Sequence, residues 1–199
     1  MNKENRTIIN TEQRKNTMSL LGNIFGAFDP NQSPQSSARH PYLNIEGIFD
    51  VKIRDIRLHS GRGGNNLIFI EYEISSIHKK VGDIPLEKGK VFTWCLKIPQ
   101  PGGKPEFLEM FQRDFQRFFA ACLGLNIRKA EDEEEARGIG EEVLEDACDE
   151  LKPFSGRILS LETVNKEMKN NPGEFFTNHY WDLSAEDRDE TEDDPKDSE

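Results

Sequence analysis

A chain of 199 residues, 35% hydrophobic and 32% charged with a formal net charge of −11, has material for one domain of ordinary size. No segment approaches the apolar run that spans a bilayer, and no signal-length apolar stretch follows the first basic residues, so a membrane protein is excluded and a cytoplasmic one is expected. Cys95, Cys122 and Cys148 are odd in number and far apart, which fits neither a disulfide framework nor a zinc site of paired close ligands and points to a reducing compartment.

The charge is unevenly placed. Residues 185–199 hold nine acidic and two basic side chains, and residues 131–150 hold eleven acidic and one basic. These two runs carry −17 between them, so the rest of the chain carries +6. A basic body with acidic appendages is a candidate polyanion binder, because phosphate binding is driven by Lys and Arg displacing condensed counterions.

Residues 1–40 are rich in Asn, Gln, Ser, Thr and charge, with Asp29-Pro30 and Ser33-Pro34 as punctuation, and are expected to be a disordered arm. Within it, Leu20, Leu21, Ile24, Phe25 and Phe28 fall at helical spacing behind Ser19. This short amphipathic patch, residues 19–28, suits docking on a partner or on the domain itself. The folded domain is expected over residues 41–184. Its first strand alternates Phe49, Val51 and Ile53 against Asp50, Lys52 and Arg54. After Asp55 the apolar set shifts to Ile56 and Leu58, the phase change of a β-bulge. A Gly61-Arg62-Gly63-Gly64 turn leads to a second strand with Ile68, Ile70, Tyr72 and Ile74 on one face and Leu67, Phe69, Glu71 and Glu73 on the other. The third strand covers residues 91–98, with Phe92, Trp94, Leu96 and Ile98 in phase.

The period then becomes helical. Pro105 opens a stripe of Phe107, Leu108, Phe111, Phe115, Phe118, Phe119 and Cys122 that Gly124 ends, and a stripe this wide is expected to be packed. Residues 130–150 read as an acidic helical insertion in which Ile139, Val143, Leu144 and Ala147 face a core. Strands over residues 154–164 and 175–183 complete the domain, and an acidic tail, residues 185–199, is too charged to fold. Three strands, a helix and two strands predict a mainly β domain, a five-stranded OB-type Greek-key barrel with its helix between strands 3 and 4. A mixed α+β sheet of other connectivity fits the same pattern.

Single-strand binding needs a ring on which a base stacks and a nearby cation for its phosphate. Phe69 lies out of phase with the core set of its strand, which predicts exposure or, alternatively, a crevice beside the helix. For Phe92 and Trp94 core packing competes with stacking. In the last strand Phe175, His179 and Trp181 oppose Phe176 and Tyr180, and one set must meet solvent or ligand. Lys52, Arg54 and Arg57 on the first strand, Arg62 in the glycine turn, Lys79 and Lys80 after the second strand and Lys90 and Lys97 on the third would line a groove beside the usual OB binding face of strands 2 and 3, with Lys166 and Lys169 in the loop after strand 4. Each is individually a plain surface charge; their value lies in being together. The glycine turn lacks the Gly-Lys-Ser/Thr of a phosphate cradle, and His59, His78 and His179 have no second ligand at metal spacing, so no cofactor or metal is assigned. Glu71 and Glu73 suggest metal-dependent nuclease chemistry only weakly, since such pairs ordinarily solvate a sheet.

The Gly47-Ile48-Phe49-Asp50-Val51 strand, the helix from Phe107 to Leu123, the last strand from Phe175 to Trp181 and the acidic tail together resemble phage-encoded single-stranded DNA-binding proteins. That resemblance implies a non-catalytic OB-fold that coats displaced DNA in replication and recombination in the host cytoplasm; the stacking rings expected from the residues are Phe69 and some of Phe92, Trp94, Tyr180 and Trp181. It also implies a tail that recruits partner enzymes and competes with DNA for the groove. The tail departs from the pattern in ending Asp197-Ser198-Glu199, without an apolar tip to anchor a partner. The rival class is a protein-interaction scaffold whose acidic runs hold a basic partner.

Overall fold

The computed structural model describes residues 38–60, 66–169 and 171–187. The amphipathic patch at 19–28, Arg62 with its glycine turn, and the tail beyond Asp187 lie outside them. Five strands, β1 (Gly47–Ser60), β2 (Asn66–Lys80), β3 (Val91–Lys97), β4 (Ile158–Met168) and β5 (Asn171–Leu183), form one antiparallel sheet in the order β3-β2-β1-β4-β5. The protein is mainly β, with helices between β3 and β4.

β1 is the central strand, and its alternation buries Phe49, Val51 and Ile53. The register against β2 slips between Ile53 and Asp55, after which Ile56 is the buried residue, so the expected bulge stands where the apolar phase changes. At the start of β1 a side chain on Gly47 would collide with the Lys79 carbonyl oxygen and the Phe49 ring. Only glycine lets the two strands approach there.

Several strand limits differ from expectation: β4 runs on to Met168 and β5 starts at Asn171, so Lys166 lies in β4, opposite Phe176, and not in a loop, and only the short turn between the strands holds Lys169. β2 runs on to Lys80 and so takes Lys79 and Lys80 into the sheet, while β4 starts at Ile158 because residues 154–156 form a turn that bonds back to β1 through Gly156 N–H to the Ile53 carbonyl, 2.8 Å. The sheet is curled. Trp94 on β3 lies with its ring 5.6 Å from His179 and 5.3 Å from Trp181 on β5, although these strands stand at opposite ends of the sheet order. The free edge of β3 is met by the segment before β1: Thr93 N–H donates to the Pro41 carbonyl at 2.9 Å, and Tyr42 bridges Thr93.

α1 (Pro105–Leu123) starts on Pro105 and stops at Gly124, whose left-handed φ of 86° a residue with a Cβ would resist. Its second half buries Phe115, Phe118, Phe119 and Cys122, with Phe118 edge-on to Trp181 at 5.1 Å. The first half corrects the expectation of a fully packed stripe, since Phe107, Leu108 and Met110 are about half exposed. There the helix borders open clefts instead of the sheet's interior. The acidic insertion is two short helices, α2 (Ala130–Arg137) and α3 (Glu141–Ala147), held by buried Ala136, Ile139, Leu144 and Ala147. No helix among the described residues is long and apolar enough to cross a membrane.

Candidate nucleic-acid interface

The outer face of β2 and β3 is not an open platform. Phe69, opposite Arg57 on β1 and Cys95 on β3, is 0% exposed, which overturns its expected exposure. The Arg57 guanidinium lies 4.7 Å over its ring and the His59 ring 5.7 Å away. Burial here pushes the Cys95 thiol up to about 11 and raises the Tyr42 hydroxyl, so the surroundings of this ring are dry as well as crowded. The alternation argument failed because it assumes that one face of a strand meets water, whereas β2 is buried on both faces from Asn66 to Tyr72.

The cations of this face are also engaged. Arg57 pairs with Glu71 at 3.2 Å, Arg54 with Glu73 at 3.4 Å, and Glu71 is approached by Arg39 and His40 at 4.0 and 3.8 Å. A phosphate would have to displace carboxylates that the sheet holds in place, and for the nearly buried Glu71 that leaves an unpaired charge. Among the other predicted residues, Phe92 and Trp181 are buried, and Trp181, at 1% exposure, offers no surface to a base. Lys52 is half-buried, and Lys90 lies 5.7 Å from the Phe92 ring. Lys80 Nζ donates to the Gly82 and Ile84 carbonyls at 2.7 and 2.9 Å, while Lys79 is exposed. Tyr180 is half-buried under the Arg117 guanidinium, 5.5 Å from its ring.

The open aromatic surface lies elsewhere. Between β3, α1 and β5 is a cleft of about 500 Å³ lined by Trp94, Lys97, Phe107, Met110, Phe176 and His179. Phe107 is 55% exposed there. His179 stacks on Trp94, and its Nδ1 is 3.3 Å from the Thr177 carbonyl, which can only accept; Nδ1 therefore carries the proton, and Nε2 accepts from the Tyr72 hydroxyl at 3.1 Å. Burial pulls the imidazole down to about 4, so the ring in the cleft is neutral at pH 7.

From this cleft the β4–β5 hairpin continues outward. Phe176 stands opposite Lys166 and Phe175 opposite Glu167, with exposures of 43% and 61%. Adjacent residues of a strand point to opposite faces. On a body-packed strand one of the two rings would be covered; here Phe176 stands at the edge of the cleft and Phe175 on the outer side, and both stay open among the described residues. The turn is stiffened by Gly173 N–H to Glu167 Oε1 at 2.8 Å and Asn171 Nδ2 to Glu174 Oε2 at 2.9 Å. Lys97, Lys166 and Lys169 are exposed and make no ion pair among the described residues.

Of the predicted residues the structure thus brings Lys97, Lys166 and Lys169 to one open surface; Trp94, at 8% exposure, is a core ring that shows only an edge to the cleft, Arg57 and Phe69 lie on a closed face, and Arg54 is exposed but paired with Glu73. Phe107 and Met110 are the cleft residues that sequence reasoning did not single out, whereas His179 was among the residues of the last strand weighed for a ligand. The neighbouring Phe175-Phe176 pair was the one signal that pointed there. Comparison with protein-family models and with curated proteins finds no match for this chain.

Proposed function

We propose that this chain binds single-stranded DNA without sequence preference and without catalysis, through an OB-type five-stranded barrel closed at its β3 and β5 edges by aromatic side chains. The observation that carries the reading is the pair of exposed rings, Phe175 and Phe176, beside Lys166 and Lys169, which make no ion pair among the described residues, on the β4–β5 hairpin, continuous with the Phe107–His179 cleft. Exposed rings on water-facing strands forgo burial worth about 1.5–3 kcal/mol each, and stacked bases recover it. The strand order β3-β2-β1-β4-β5 with α1 between β3 and β4 suits the OB connectivity. The acidic residues 186–199 are, on this reading, a tethered polyanion that competes for the hairpin lysines at low salt and offers replication or recombination proteins a docking point in the host cytoplasm.

Titration of a fluorescent oligonucleotide with the full chain at two salt concentrations tests it. Binding that weakens steeply as salt rises is expected. Absence of binding at low salt, with the protein folded, would leave the protein-interaction reading in its place.

A further inference from the structure

A second cleft, of about 750 Å³, lies on another side of α1. Its floor is apolar, built by Leu58, Ile98, Leu108, Phe111, Ile139 and Leu144. One rim is acidic: Glu141, Glu145, Asp146 and Asp149 border it. Glu145 is raised from the ordinary carboxylate value by burial and then by its neighbours Glu141, Asp146 and Glu142, and its Oε1 has no hydrogen-bond partner among the described residues. An apolar trough beside carboxylates that make no ion pair among the described residues repels nucleic acid and the acidic tail alike. It suits an apolar helix face accompanied by cations.

The chain contains one such segment. Leu20, Leu21, Ile24, Phe25 and Phe28 share a helical face, Arg14 and Lys15 precede them, and no acidic residue lies between Lys15 and Asp29. The point where the chain enters the described structure is also near the trough. Arg39 pairs with Asp55 at 3.2 Å, the same carboxylate takes Lys152 at 3.0 Å, and Lys152 N–H donates to the carbonyl of Asp149, a rim residue, at 3.1 Å. Residues 29–38 connect Phe28 to that point, and ten residues reach roughly 35 Å when extended and about 17 Å on average as a flexible chain. So short a tether gives an effective concentration on the order of millimolar.

We infer that residues 19–28 dock as an amphipathic helix in the α1–α3 cleft of their own chain, with Arg14 and Lys15 against its acidic rim. The cleft is then a built-in receptor for the arm, and a partner protein that takes the arm would uncover it. Neither statement depends on DNA binding.

Cys148 lines the cleft and is exposed, whereas Cys95 is half-buried and Cys122 buried, so a thiol cross-linker reads the docking directly. In the full chain carrying Ala27→Cys, a short bismaleimide should join residues 27 and 148 within one molecule, identified by peptide mass spectrometry. Ile24→Asp with Phe25→Asp added should remove most of that link, and Leu108→Asp in the cleft, at an exposed position that the core does not need, should do the same. A link that survives both changes would reflect tethering alone and overturn the proposal. So would a link found only between chains, or none at all.

Discussion

Two surfaces of this protein combine aromatic rings with cations, and they differ in what the rest of the fold does to them. On the outer face of β2, Phe69 is sealed under Arg57 and the arginines answer Glu71 and Glu73. On the β4–β5 hairpin, Phe175 and Phe176 are open and Lys166 and Lys169 have no carboxylate among the described residues. The residue types are alike, yet the first arrangement stabilises the fold and the second is available to a ligand. A basic–aromatic cluster is therefore read as an interface only after its charges have been matched against their neighbours.

The sharpest break in the comparison is Phe69→Ala. Removing a fully buried ring should destabilise the fold by about 3–5 kcal/mol in urea denaturation, while the folded fraction binds oligonucleotide as before. A variant that stays stable and loses binding would reverse the roles of the two surfaces. Next comes the pH dependence of the cleft. His179 sits near 4 in the fold against 6.5 unfolded, so the unfolded chain takes the proton first; stability is full above about pH 6.5 and falls as pH drops toward 4. The loss should be on the order of 2 kcal/mol after discounting for the opening of the cleft, and His179→Gln should flatten that part of the pH–stability curve.

Phe175→Ala and Phe176→Ala should each weaken oligonucleotide binding by about 1–3 kcal/mol, with unfolding midpoints nearly unchanged, the opposite signature to Phe69→Ala. Equal binding by the double variant would take the hairpin out of the interface. The smallest effect belongs to the lysines. Lys166→Gln and Lys169→Gln should each lower the slope of log affinity against log salt by about 0.7, whereas Arg54→Gln, already paired with Glu73, should leave the slope alone.

Much of the architecture follows from local pattern. The two-residue period of Phe49, Val51 and Ile53, the phase change after Asp55, Pro105 and Gly124 bounding a helix, and the apolar minority in residues 130–150 all express backbone geometry that neighbouring residues dictate. The order of elements is linear information, and it was legible as such. What covers a face is not. Phe69 and Phe176 both stand out of step with a core-facing set, and nothing within either strand distinguishes them; the first is buried by side chains from β1 and β3, which reach it only across the sheet, and the second, at the mouth of the cleft, stays 43% exposed among the described residues. The same holds for charge. Arg57 and Lys166 are equivalent as sequence, and the difference between a neutralised cation and a free one is whether an acidic residue fourteen positions away, Glu71, is brought within 3.2 Å. Periodicity determined which residues share a face. Only the tertiary structure decided which faces meet water, because that depends on pairings between segments far apart in the chain.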